Sequence, residues 1–321
     1  MSSRKPIIAV VGATGAQGGG LAHAILNDPN KQFVARALTR NTNAEKAIAL
    51  ARLGAEIVHA DLDDLDSLKS AFEGASGAYC VTNFWEHFSP ARELAQARNL
   101  AEAASDRGLR HVIWSTLEDT RQWVPLEDER MPTLMGSYKV PHFDAKGEAN
   151  HEFTDRGLPT TFLLTSFYWD NLVHFGMEPK RDAGGRLSFV LPMADKPLSG
   201  IAAADIGKCA FGIFRAGTDY IGKTVGIAGG HLTGTEMARA LGSALGETVR
   251  YDAIEPAVYR SFGFPGAEDL GNMFQFKRDF NDYFCGARSV ATSRALNPEL
   301  LTFEAWLAKT RDRIPIDKTT T

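Results

Sequence analysis

The amino-acid sequence predicts an α/β fold, a doubly wound parallel sheet with a smaller C-terminal α/β cap, and three observations predict it. Short apolar runs alternate with helical-period runs up to about residue 165, a glycine loop follows the first run directly, and single glycines stand where helices should stop. The runs at residues 7–11, 33–38, 56–59, 77–81, 112–114 and 160–164 are too continuously apolar for strands exposed on one face. They suit a parallel sheet covered on both sides. Between them, Leu21, Ala24 and Ile25, and later Leu94, Ala97, Leu100, Ala101 and Ala104, place one apolar stripe on a helix. Gly54, Gly74, Gly108 and Gly157 fall where a left-handed C-terminal cap is needed. Six such units in series give a Rossmann-type sheet with right-handed crossovers.

After residue 165 the rhythm changes. A turn-rich linker, EPKRDAGGR, precedes the strand-like LSFVLPM, a helix over 205–214 and a strand over 224–228. Thr233-Gly-Thr-Glu236 has capping-box spacing before the helix MARALGSALG. Two further helices are expected over 268–283 and 303–311, and the terminal DKTTT is expected to fray. The organisation expected is a nucleotide-type domain over 1–165, with a lid-like insert at 117–140, and a strand-poor C-terminal domain over 166–321 interleaved with it.

At 321 residues, 44% of them hydrophobic, the chain is long enough for a sizeable core. Lys and Arg total 35 against 39 Asp and Glu, a net charge of -4 that supplies no general attraction to nucleic acid or an anionic bilayer. No apolar stretch is long enough to span a membrane. Cys80, Cys209 and Cys285 are widely separated and have no metal-ligand spacing, so neither a disulfide framework nor a metal site is expected. A reducing compartment, the cytoplasm, is the expected location, since the first strand begins too early to leave room for a signal peptide.

In an open α/β sheet the ligand lies outside the carboxyl ends of the strands. The first such loop reads Gly12-Ala13-Thr14-Gly15-Ala16-Gln17-Gly18, the G-x-x-G-x-x-G of a strand–turn–helix that cradles a pyrophosphate. The second strand ends in Leu38-Thr39-Arg40-Asn41. It offers Arg40 for a 2′-phosphate instead of the carboxylate that accepts from a ribose 2′-hydroxyl, so NADP(H) is favoured over NAD(H). Asp61 and Leu62, after the third strand, are placed to flank adenine. For Asp63, Asp64 and Asp66 an acidic helix start is the better reading.

With these residues placed, the sequence resembles the NmrA-like branch of the atypical short-chain dehydrogenases/reductases, and more closely its HSCARG-type NADPH-sensor proteins. The matching stretches are VGATGAQGG, ALTRN, VTNFWE, HFDAKGE, LPTTFLLTSFYWDNL and GFPGAEDLGNMFQF. The resemblance implies cofactor contacts from Gly12 to Gln17 and at Arg40, Thr82, Asn83, Phe84, Lys146, Tyr168, Trp169, Asp170 and Asn171.

Reductases of the short-chain class pair that Lys with a Tyr four residues earlier and a Ser after the fifth strand. Here Lys146 and Ser115 are present, but His142 occupies the tyrosine position. His142 reads either as a proton donor or, better, as a helix-start residue bonded to backbone; Pro141 either breaks a helix containing Tyr138 or begins a new one. Phe84, Trp85, Phe88, Phe167, Tyr168 and Trp169 are placed either to line a flat pocket for a planar apolar substrate or to fill an interdomain core. Two functions follow as expectations. The missing tyrosine favours an NADP(H)-dependent redox sensor acting on a protein partner or through self-association as a homodimer. The retained Lys146 and Ser115 favour an NADPH-dependent oxidoreductase reducing a quinone-like or conjugated carbonyl.

Overall fold

The computed structural model describes residues 5–316, so the predicted frayed tail, which begins at Asp317, lies outside the described residues. Six strands come from the predicted runs: β1 (Ile7–Val10), β2 (Val34–Thr39), β3 (Glu56–His59), β4 (Gly77–Cys80), β5 (His111–Thr116) and β6 (Thr160–Leu164). A seventh, Thr224–Gly226, pairs in parallel with β6 and closes that edge, giving the order (Thr224–Gly226)-β6-β5-β4-β1-β2-β3. Every pairing in this sheet is parallel.

Each strand of the centre alternates its side chains between two buried faces. On β1, Ile8 and Val10 enter a core with Leu21, Ile25, Ile206 and Ile213, whereas Ile7 and Ala9 enter one with Leu68, Phe72, Leu100 and Trp114. The first core is covered by α1 (Ala16–Leu26) and helix Ala203–Arg215; the second by α3 (Leu65–Phe72) and α4 (Pro90–Asp106), while α2 (Glu45–Arg52) follows β2. Helix Ala203–Arg215 lies against α1 because both carry a glycine at the crossing. An added Cβ on Gly207 would stand 2.0 Å from the Leu21 amide nitrogen, and one on Gly20 would stand 2.4 Å from the Ala204 oxygen.

Local signals act where they were read. Gly54, Gly74, Gly108 and Gly157 all have positive φ after their helices. Asp64 caps α3, Ser89 caps α4 with Pro90 in its first turn, and Thr233 forms the reciprocal capping box with Glu236. Pro141 begins the helix α5 (Pro141–Glu148), so Tyr138 stands outside it, in a bridge with Leu134.

Three expectations need correction. The predicted strand near 224 is part of the main sheet, reached only because the chain returns to β6 after the 59 residues that lie between Leu164 and Thr224. The C-terminal part is also richer in strands than expected. It holds two three-stranded sheets, Gly230–Leu232 with Leu198–Ile201 and Phe167–Tyr168, and Val249–Ala253 with Leu187–Leu191 and Lys180–Arg181. The helix expected over 268–283 is two helices, Ala267–Asp279 and Asn281–Gly286, interrupted at Phe280.

The insert at 117–140 is strapped down rather than standing clear as a lid. Val124, Met131 and Val140 are buried in the C-terminal core with Phe274, Phe276 and Trp306. Asn272 donates to the Pro132 and Lys139 carbonyls at 2.9 and 2.6 Å, and Gln275 to that of Arg130 at 2.7 Å. At the start of the insert, Glu118 accepts both ends of the buried Arg288 guanidinium at 2.6 and 3.0 Å. Such a pair contributes little over an apolar substitute, but removing one partner strands a buried charge.

Candidate functional site

The strand order proceeds outward from β1 through β2 to β3 on one side and from β4 through β5 and β6 to the Thr224–Gly226 edge on the other, so the crevice between β1 and β4 is the switch point of the sheet. The glycine loop leaves β1 there. Gly12 has φ +62°, its oxygen accepts from the Gly15 amide at 2.8 Å, and Gly15 begins α1 with no side-chain cap. At Gly18 an added Cβ would stand 2.5 Å from both the Val11 and Gly12 oxygens, so only glycine lets the helix start this close to the strand. The uncapped helix start and tight turn fit a dinucleotide pyrophosphate. Thr14 and Ala16 lie on the loop's accessible side, whereas the buried Ala13 side chain leaves only its backbone for a ligand.

At the end of β2, Arg40 is exposed and its guanidinium closes on the Glu86 carboxylate, which holds it above its ordinary pKa. Asn41 accepts from the Asn43 amide and so shapes the turn after Arg40. Lys46 on α2 reaches toward the Thr14 oxygen at 3.5 Å, a second cation at the glycine loop that no sequence motif marked. After β3, the Asp61 carboxylate accepts from the Asp63 amide at 3.0 Å and the Leu62 oxygen accepts from Asn99 at 2.9 Å, leaving both residues half-buried at the crevice rim.

The other end of the crevice is built from buried polar side chains. Gln17 is a hub. Its amide nitrogen donates to the Tyr168 hydroxyl, and its oxygen accepts from Tyr79 and, at 2.8 Å, from Ser115. Burial raises both phenols, Tyr168 to about 12, so both stay protonated. Thr82 ends the β4 loop beside Lys146, whose Nζ lies 2.7 Å from the Glu93 carboxylate and donates to the Thr82 hydroxyl and carbonyl. Burial alone would raise Glu93, but the Lys146 charge, hydrogen bonds from Lys146 and Thr82, and the nearby His87 ring at 3.4 Å bring it down to about 2. The Lys146 ammonium also sits 5.2 Å from the Trp114 ring centroid.

His142 is not bonded to backbone as expected. Its Nδ1 lies 2.6 Å from the carboxylate of Asp269, on helix Ala267–Asp279, and its amide donates to the same carboxylate at 3.1 Å. The ring lies 4.6 Å from Trp85 and 6.1 Å from Phe84, so the 84–88 turn and the C-terminal helices meet at this residue. Asn83, at the head of that turn, is exposed.

The run 168–171 divides. Tyr168 joins the Gln17 hub, as its predicted place requires. Trp169, in contrast, is 1% exposed and packs against Phe303 and Trp306 in the C-terminal core, so its indole faces away from the Gln17 hub. Asp170 accepts from the Ala203 amide at 2.8 Å and so caps helix Ala203–Arg215. Asn171 opens the short helix Asn171–His174. Phe167 is likewise core, and of the predicted aromatic set Phe84, Trp85 and Phe88 gather in one turn while Tyr168 joins the Gln17 hub.

Fold, switch point and glycine loop define a doubly wound α/β protein of the dinucleotide-binding class. The model of the NmrA-like family matches residues 4–307, and the chain belongs to that family. Its relatives include two NmrA-like family domain-containing oxidoreductases. One is hkm9 of Aspergillus hancockii, 27% identical over 96% of this chain and 98% of that protein. The other is FrzB of a Cladobotryum species, 29% identical over 90% and 89%. Among solved structures, the negative transcriptional regulator NmrA in complex with NADP superimposes with a TM-score of 0.76 at 22% identity, covering 96% of this chain and 95% of that one. A Citrobacter triphenylmethane reductase complexed with NADP(H) gives 0.72 at 20% identity, covering 94% and 99%. Among the described residues no helix is long and apolar enough to cross a membrane, and no three metal-ligating side chains gather.

Proposed function

We propose that the protein binds NADP(H) across the β1/β4 crevice and uses it to reduce a small planar acceptor, quinone-like or a conjugated carbonyl. The glycine loop would hold the pyrophosphate, Arg40 and Lys46 the adenosine-side charge, and Lys146 the nicotinamide ribose. When bound, the reduced nicotinamide supplies a hydride. The observation that carries the reading is the His142–Asp269 pair, one helical turn before Lys146. With Nδ1–H committed to the carboxylate, Nε2 is left as the site that takes up a proton and, as the imidazolium, gives it to the reduced substrate, the role a tyrosine fills in short-chain reductases. The carboxylate also fixes the ring's orientation, as an aspartate does for a catalytic histidine.

The second reading is a redox sensor whose partner surface or self-association responds to occupancy. It is favoured by the Arg40–Glu86 contact, which joins the expected phosphate site to the aromatic turn beside His142. Following NADPH absorbance with quinones, enones and aldehydes, alongside cofactor titration on the same sample, separates the two. The reductase reading expects protein-dependent oxidation that falls in Lys146→Ala. Tight binding with no oxidation across the panel leaves the sensor.

A further inference from the structure

Arg40 stands at the place where a 2′-phosphate would be read, yet its fork is already filled. Nη1 and Nη2 both meet the Glu86 carboxylate, Nη2 at 3.1 Å. Asp61 and Arg92 face the same guanidinium at longer range, and Arg92 is itself occupied by Asp63. A phosphate dianion binds a guanidinium through the same two parallel N–H groups that a carboxylate uses. The two acceptors therefore exclude one another at Arg40, and Glu86 left beside a bound phosphate would add like-charge repulsion.

We propose that Glu86 is a specificity-determining residue of the nucleotide site, competing with the 2′-phosphate for Arg40. This rests on the assignment of NADP(H) to the crevice. A nucleotide with a 2′-phosphate must exchange the Arg40–Glu86 pair, whereas one with a 2′-hydroxyl leaves it closed. Glu86 is held within reach by the Phe84–Glu86 turn, and two residues further on Phe88 has φ +52°, a left-handed conformation rare for a non-glycine residue. The Arg40 and Glu86 side chains are 56% and 40% exposed, so the competition is a modest bias and the exchange is open to solvent.

The test uses adenosine 2′,5′-bisphosphate and adenosine 5′-monophosphate, which differ only in the 2′-phosphate, titrated calorimetrically into the full chain. Glu86→Gln, a near-isosteric change at an exposed site, should bind the bisphosphate about two- to five-fold tighter, the range an exposed ion pair supports, with the monophosphate unchanged. In an Arg40→Ala background the same substitution should give a smaller gain, since only the like-charge repulsion is left to relieve. Unchanged or weaker bisphosphate binding by Glu86→Gln, or an equal gain for both ligands, would overturn the proposal. If Arg40→Ala alone leaves bisphosphate binding intact, the assignment of the 2′-phosphate to Arg40 falls, and the role of Glu86 falls with it.

Discussion

The two ends of the crevice are built on opposite principles. At the phosphate end the machinery is backbone and exposed charge: a glycine turn, an uncapped helix, Arg40 and Lys46. At the other end it is buried side chains paired across long stretches of chain, Gln17 with Ser115 and Tyr168, Glu93 with Lys146, and His142 with Asp269. The first arrangement tolerates solvent and adjusts to a ligand at little cost. The second is fixed before any ligand arrives, because each buried charge is stable only with its partner in place.

The difference is most sharply exposed by breaking the buried end. Glu93→Ala strands the Lys146 ammonium and should cost about 3–5 kcal/mol of stability in denaturant unfolding. With the carboxyl near 2 in the folded state against an ordinary value of 4.5, its contribution is complete above pH 4.5 and lost as pH falls toward 2. Stability of the Glu93→Ala protein should therefore vary less over that interval than that of the wild type.

Lys277 tests the same rule from the opposite side. Its ammonium is buried among Phe143, Phe167, Phe274 and Phe284, with the Met273 sulfur at 3.2 Å, and burial pushes it down to about 7. The unfolded lysine titrates near 10.5, so the folded state is penalised in full below pH 7 and progressively less as pH rises to 10.5. Lys277→Met should raise stability at neutral pH by roughly 2–4 kcal/mol, after the lost ring contacts are counted, and flatten the rise toward alkaline pH. No gain would show that the amine has a partner of its own.

At the exposed end the effects should fall on binding and leave stability alone. Arg40→Ala should weaken NADPH binding about 10- to 100-fold, the worth of a charge-assisted hydrogen-bonded contact, with an unchanged midpoint of unfolding in the absence of nucleotide. Lys46→Ala should weaken it only a few-fold, since one exposed cation at the loop contributes at most about 1 kcal/mol. A large loss of unliganded stability in either variant would erase the distinction between the two ends.

That same distinction explains what was legible in the sequence. The glycine loop, Arg40 and the helix caps act within a few residues of themselves, so spacing alone places them. Lys146 and Ser115 were singled out through the resemblance to short-chain reductases, with a strand end and a helical turn placing them beside the crevice. Asp269, Glu93 and Tyr79 were missed, since each acts by pairing with a residue 53 or more positions away, and no local pattern records such a pairing. Glu93 carried one available signal, an acid in the first turn of α4, but at that position a solvated residue opposing the helix dipole is the ordinary outcome. The direction of the Trp169 side chain was hidden for a related reason. Its neighbour Tyr168 faces the crevice, and strand alternation turns the indole the other way, into the core around Trp306. The seventh strand was recognised as a strand, but which sheet it joins depends on the return of the chain to β6.

The central claim is that an NADP(H) site exists in the crevice and is read through Arg40. Calorimetric titration of NADPH and NADH into the wild-type chain tests it most directly. The account predicts one site per chain, with NADPH bound at least about ten-fold tighter than NADH. Equal affinities, or no binding of either, would contradict it.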